Sequence, residues 1–273
     1  MPSYDGLIEN LPLALDIAIG RDAAPDIEKS LGGVLDNHPL TAYVAAVGNK
    51  LAVLSKTPSL PYQFRIINSN DLNAFALPGG RVYITMGLLK SMSNEAQLAA
   101  VLGHEIGHAA DRHGMKQLGA SMGTSVLLDS VFRSTGANTK LAVETTKKLF
   151  GAGYSREHES TADALGVASM GKSGYATQGA VELMQVLAGK SKENKNLVDG
   201  LLRSHPYTSD RIIALKKRAN ADGEFGEDRY QLMVFGKKPS VFSTLSKGLL
   251  RPPVLIGIGA AVIGVIWLAK SKR

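Results

Sequence analysis

The chain contains no cysteine among its 273 residues. A disulfide framework and a thiolate metal site are both excluded, so any bound metal has to be held by histidine, aspartate or glutamate. Aromatic residues are few, at 6% with a single tryptophan. The basic residues give a formal net charge of +7. They fall in small clusters, such as Lys147-Lys148, Lys190 to Lys195, Lys216-Lys217-Arg218 and Lys237-Lys238. These clusters are not interleaved with aromatics, as a nucleic-acid surface requires, so no nucleic-acid partner is expected and solvated helix faces account for them. The first twenty residues lack a basic n-region and a small-residue cleavage site, which predicts no secretory signal.

Long apolar runs are also lacking until the end of the chain. Val254 to Ala269 is then sixteen residues without a charge, bounded by Arg251-Pro252-Pro253 and Lys270 to Arg273. It is slightly short of the usual span, but snorkelling lysines and Trp267 near one end allow it to fit a bilayer. The reading is a single-pass membrane anchor over 253–270, preceded by a linker over 236–252. The charge bias around it is weak, and the side of the membrane is left unassigned.

The segment with the clearest chemistry is His104-Glu105-Ile106-Gly107-His108. It lies in a stretch from Asn94 to His113 that reads as one helix, opened by a capping box of Asn94 and Gln97. Histidines four apart share a helical face and can offer nitrogens to one metal ion. The glutamate beside the first can reach a water at that metal and take its proton. His113 is nine residues from His104, about 180° round such a helix, so it should point away and serve only structure. His38 precedes a proline in a turn signal and reads as a surface or capping residue.

A site of this kind needs a third protein ligand. The helix expected from Ser155 carries Glu157, His158, Glu159 and Asp163. Spacing alone does not choose between Glu157 and Glu159. The Glu159/Asp163 pair, four apart, favours Glu159, because it would put a second acid on the same face to orient a ligating histidine. His205, before Pro206 in a loop, becomes a candidate donor to a developing oxyanion beside such a site.

Ahead of the motif, Tyr62–Ile67, Asn73–Leu77 and Arg81–Thr85 alternate as strands and predict a small antiparallel sheet. Helices are expected on either side of the Asn37-His38-Pro39 break, at 115–150 with an interruption near 134–138, at 175–189 and from Ser209 to about Ala219. Lys190 to Lys195 reads as a polar loop and Ala221 to Asp228 as exposed.

Four stretches in order resemble peptidase family M48. They are Asn73-Ala-Phe-Ala-Leu-Pro-Gly-Gly-Arg-Val-Tyr-Ile-Thr85, His104-Glu-Ile-Gly-His108 with Arg112-His113, Ser155-Arg156 with Glu159 and Ala162-Asp163, and Ser204-His205-Pro206 followed by Arg211. The resemblance covers about residues 40–218. It implies a mainly helical α+β fold, a zincin-type (gluzincin) metalloprotease domain over 41–235, with residues 1–40 an N-terminal helical segment. It implies Zn2+ held by His104, His108 and Glu159, with Glu105 as general base and Asp163 as the acid one turn beyond the ligand. His205 would stabilise the transition state with Arg211 as its companion. Asn73, Ala74, Phe75 and Ala76 would form the edge on which a protein or peptide substrate lies as an added strand. The expected function is therefore a membrane-anchored zinc endopeptidase with a role in protein quality control. The alternative is a non-enzymatic membrane scaffold with a structural zinc. A scaffold has no need of Glu105. A third, latent form would have residues 220–250 covering the cleft.

Overall fold

The structure, a computed structural model, describes residues 4–35, 39–122, 144–147, 152–193, 195–206 and 209–237. Among these are eleven helices, a further helical turn at 144–147, and one three-stranded sheet. In chain order the helices are α1 (Tyr4–Glu9), α2 (Leu13–Ser30), α3 (Pro39–Ala52), α4 (Met86–Ser91), α5 (Glu95–Ala110), α6 (His113–Met122), α7 (Arg156–Lys172), α8 (Gln178–Glu193), α9 (Lys195–Ser204), α10 (Ser209–Arg218) and α11 (Glu227–Phe235). The strands β1 (Gln63–Ile67), β2 (Ala74–Leu77) and β3 (Arg81–Thr85) lie between α3 and α4.

The centre of the molecule is α5. Every residue of it except His104 is buried. A helix buried all round is read as a core element. Its start is fixed by the expected Asn94 cap, whose side chain accepts from the Gln97 amide at 2.9 Å, while the Gln97 side chain reaches one residue further back and accepts from the Ser93 amide at 3.0 Å. Leu98, Leu102 and Ile106 pack into a cluster with Val44, Val47 and Leu51 of α3 and with Ile66 and Ile84 of the sheet. α7 crosses α5 at glycines. A Cβ on Gly166 would stand 2.9 Å from the Gly103 carbonyl carbon, and one on Gly107 would stand 3.0 Å from Ala162 Cα. The two backbones are thus in contact, which sets the reach of every side chain that crosses between them.

The sheet is mixed, with strand order β1-β3-β2. β2 runs antiparallel to β3, joined by a turn in which Gly79 and Gly80 both take positive φ. β1 runs parallel to β3, pairing Gln63 with Arg81 through Ile67 with Thr85. The all-antiparallel expectation is therefore corrected. Residues 68–73 carry the chain past the position next to β1, so the returning strand β3 fills it and β2 is left at the edge. Alternation within each strand is the same for either neighbour order, so it carries no information on this.

α2 closes one face of the sheet, with Ala23, Ala24 and Ile27 against Ile67, Phe75, Leu77 and Tyr83. Gly20 lies directly against the Pro78 carbonyl. Other expectations also change. The Lys190 to Lys195 stretch is not a loop, because α8 continues to Glu193 and α9 starts at Lys195. Lysine and glutamate are good helix formers, and their polarity was mistaken for irregularity. α11 packs on α3, α4 and the start of α5, where Tyr230 donates to the Leu89 carbonyl. Residues 220–237 thus dock at the opposite end of α5 from His104 and His108 and do not cover them. His38, the break near 134–138 and the segment 253–270 lie outside the described residues. Among the described residues, no helix is long and apolar enough to cross a membrane.

Candidate metal centre

The His104 and His108 side chains leave α5 on its α7 side, one turn apart. Their Nε2 atoms stand 3.0 Å apart. Ser155 caps α7 by accepting from the His158 amide at 3.1 Å, and this starts the helix so that Glu159 falls on its inner face. Glu159 is buried, whereas Glu157 is exposed. Glu159 Oε2 lies 3.5 Å from His104 Nε2 and Oε1 lies 3.3 Å from His108 Nε2. His205, just beyond α9, puts Nδ1 at 3.0 Å from Glu159 Oε1 and 3.2 Å from His104 Nε2.

Four donors from three chain segments therefore converge, all within 4.8 Å of one another. Separations of this order are those of atoms around a single ion. Glu159 Oε2 also has the Arg211 guanidinium beside it at 2.5 Å, and His205 Nε2, the ring nitrogen outside the cluster, is buried without a hydrogen bond. The donor set of neutral nitrogen and carboxylate oxygen fits a divalent metal.

The electrostatics agree. Burial pushes Glu159 toward its neutral form, but hydrogen bonds from His104, His108 and His205 outweigh it and hold the carboxyl well below its usual range. Burial likewise disfavours a charged His104, yet Asp163 and Glu159 outweigh this and push it up to about 10. The pocket thus favours a positive charge at that ring. Burial holds His108 well below the ordinary histidine value, in the neutral form a ligand requires.

The surrounding residues orient these four. Asp163 Oδ1 lies 3.0 Å from His104 Nδ1, the nitrogen away from the cluster. Arg211 grips both Asp163 oxygens at 2.8 Å and also reaches Glu159 Oε2 at 2.5 Å. Burial raises Asp163, but Arg211 and His104 outweigh it and keep the acid ionised. Glu105 is buried beside the cluster, with Oε1 3.4 Å from His205 Nε2 and Oε2 without a partner. A groove of about 570 Å³ runs along the outer side of β2, bounded by Asn73, Phe75, Ala76, Tyr154, Ser204 and His205. Among the described residues that edge has no strand partner. Asn73 Oδ1 is buried there without a hydrogen bond.

Three features differ from the sequence reading. His205, expected beside the site as an oxyanion donor, has Nδ1 inside the donor cluster. His113 does not point away. α5 ends at Ala110, Arg112 takes φ 56°, and the chain doubles back so that His113 is buried with Nδ1 3.0 Å from His108 Nδ1. The 180° argument fails because it assumed an unbroken helix. Tyr154 was missed altogether: its ring stacks on His108 at 4.1 Å. Its place between the Gly151 to Gly153 turn and the Ser155 cap was the only signal, and spacing gives no reason to single it out.

Two short-spaced histidines and a glutamate on a core helix thus meet a carboxylate from a second helix, with an edge strand alongside. The chain belongs to peptidase family M48, whose model matches residues 39–219. It is 27% identical over 247 residues to the beta-barrel assembly-enhancing protease of Yersinia pestis, covering 82% of this chain and 51% of that one. It is 27% identical over 215 residues to the mitochondrial metalloendopeptidase OMA1 of Schizosaccharomyces pombe, covering 76% and 62%. With the metalloprotease YcaL of Escherichia coli it shares 28% identity over 180 residues, covering 63% and 69%. The chain thus spans about half the length of the Yersinia pestis relative.

Proposed function

We propose that the chain is a zinc-dependent endopeptidase that hydrolyses peptide bonds in proteins, tethered to a membrane through residues 253–270. The observation that carries this is Glu105: it adds nothing to a metal's grip, yet it is buried beside the donor cluster with one oxygen unpaired. Zinc suits the donors. With bonds of about 2.0–2.1 Å, tetrahedral ligands stand roughly 3.4 Å apart, and five of the six residue pairs among the four donors approach to 3.0–3.5 Å, all donors lying within 4.8 Å of one another.

His104, His108 and Glu159 would hold the ion, and Asp163 and Arg211 fix their orientation. When bound, zinc supplies Lewis acidity to polarise the scissile carbonyl. An extended substrate segment pairs with the β2 edge at Asn73 to Ala76 and brings its carbonyl to the cluster. Glu105 takes the proton of the attacking water and delivers it to the leaving amine. His205 withdraws from the donor cluster to admit substrate and water, and a ring N–H then donates to the oxyanion, a contribution of about 2.7–4 kcal/mol. The expected outcome for Glu105→Gln is retained zinc with casein digestion abolished. Normal, chelator-sensitive cleavage by a pure Glu105→Gln sample overturns this assignment.

A structural zinc in a scaffold is the second reading, and one observation favours it: four protein donors make a closed shell, as structural sites have. A zinc-loaded protein that leaves unfolded casein intact under all activating conditions supports that reading. A role in protein quality control, and substrates among misassembled membrane proteins, extend the proposal by analogy with the relatives' names and are tested by identifying proteins that accumulate when Glu105→Gln replaces the native chain.

A further inference from the structure

His108 has two ring nitrogens with different surroundings. Nε2 faces the donor cluster, 3.3 Å from Glu159 Oε1. Nδ1 faces away from it and lies 3.0 Å from His113 Nδ1. A neutral imidazole that offers Nε2 to a metal carries its proton on Nδ1. His113 Nδ1 must then accept, which leaves the His113 proton on Nε2. That nitrogen lies 3.0 Å from Asp111 Oδ2. Asp111 is in turn gripped by Lys56 and by Lys116, the latter at 2.9 Å. The His108–His113 contact is a hydrogen bond, whereas His113 Nε2 faces the Asp111 carboxylate at close range without hydrogen-bond alignment.

The rings are also held in place. His113 is buried and stacks on His158 of α7 at 4.2 Å, 18° from parallel. The backbone supports the same geometry. Arg112 sits in the left-handed region, uncommon for a residue with a side chain, and its guanidinium is tied to Asp16 and to the Ile8 and Leu11 carbonyls. This clamp holds the reversal that returns His113 to His108.

We infer that His113 is a positioning residue for His108, its Nδ1 accepting from the His108 ring and its other nitrogen set against the Asp111 carboxylate. The inference rests on the metal-centre reading. It makes the two histidines of the helix unequal: His104 meets its carboxylate, Asp163, directly, whereas His108 meets Asp111 through a second ring.

The test is zinc affinity of the purified full chain, measured by competition with a chelator, alongside calorimetry of the metal-free protein. His113→Phe keeps a ring but removes the acceptor, and zinc binding is expected to weaken by about 10–100-fold. His113→Asn offers an oxygen near the Nδ1 position and is expected to recover most of that loss. Asp111→Asn is expected to fall between them. Wild-type affinity in a folded His113→Phe protein overturns the inference, as does an equal loss in the Phe and Asn variants that follows the metal-free melting temperature. Should His113→Phe fail to fold, nitrogen-15 spectra of zinc-loaded wild type decide the matter. A proton on Nδ1 of His108 and on Nε2 of His113 supports the relay, and the opposite tautomer of His113 overturns it. These readouts do not depend on proteolysis, so an inactive protein with the relay intact counts against the peptidase reading alone. A wild-type chain that binds no zinc overturns both.

Discussion

Glu157 and Glu159 stand two residues apart on α7, one exposed and one buried among three imidazoles. That difference predicts their substitution effects. Glu159→Gln is expected to weaken zinc binding by at least about 100-fold, more than loss of a residue that only orients a ligand, and Glu157→Gln to leave it unchanged. Chelator competition measures both, and the reverse pattern would reassign the carboxylate. The sequence carried this distinction only in part. Glu159 was favoured by Asp163 one turn beyond it, a geometric cue that survives because α7 is a regular helix from Arg156 to Lys172. His104, Glu105 and His108 were legible for the same reason. His113 was not, because its position depends on Arg112, whose left-handed backbone is imposed by distant groups in α1 and α2. His205 was legible as a candidate but its ring position was not, since a residue between two helices has no period to place it.

At the scale of elements, the crossing of α5 and α7 holds the donors together. Alanine is a better helix residue than glycine by about 1 kcal/mol, so Gly166→Ala would stabilise an isolated α7. In the folded protein its Cβ would stand 2.9 Å from the Gly103 backbone, and the helices must part. A net destabilisation of about 1–3 kcal/mol is expected, together with weaker zinc binding, because Glu159 moves with α7. Denaturant midpoints and chelator competition on one sample test this, and a stabilised variant with unchanged affinity would refute the close crossing. The sheet marks the limit of what pattern could reveal: each strand was anticipated within a residue or two, but their order was not. Which strand lies next to which is settled by the path of residues 68–73 and by α2 closing one face.

At the other end of α5, Glu95 accepts from Tyr43 at 2.7 Å and Tyr175 at 2.8 Å and pairs with Arg229 of α11. Burial pushes Glu95 up, but Arg229 and the two tyrosines outweigh it and leave the carboxyl below its ordinary value. A depressed carboxyl contributes stability that is complete above the unfolded value, about 4.3, and is lost as pH falls through the folded one. Glu95→Gln is therefore expected to cost about 2 kcal/mol at pH 7, a modest figure because Arg229 is half exposed. The gap between wild type and variant should close below about pH 4. A gap that persists in acid would show that the charge is not its source.

For the molecule as a whole, the family match begins at residue 39, but the packing begins earlier. Asp16 of α2 meets Arg112 through paired contacts of 3.0 and 2.6 Å, both side chains buried. Burial keeps Asp16 above its usual carboxyl value even against this partner, so the pair is a costly one to bury and costlier to break. Asp16→Ala leaves the Arg112 guanidinium buried without its counter-charge and is expected to destabilise the protein by about 3–5 kcal/mol, read from thermal or denaturant unfolding. A loss under 1 kcal/mol would mean that the Ile8 and Leu11 carbonyls satisfy Arg112 without it. None of this was visible from spacing, because Asp16 lies 96 residues from Arg112.

The proposed pairing of substrate with the outer edge of β2, which has no strand partner among the described residues, has a consequence for what the chain would select. Main-chain pairing reads amides and carbonyls that every polypeptide has, so it is nearly blind to side-chain identity. β2 is four residues long, about 13 Å at the usual rise. A partner must therefore present a short, fully extended segment whose amides and carbonyls are not already engaged in its own helices or sheets. Under that proposal, selection falls on conformation before sequence: a well-folded protein would be passed over, and the same protein would become eligible once part of it has come undone.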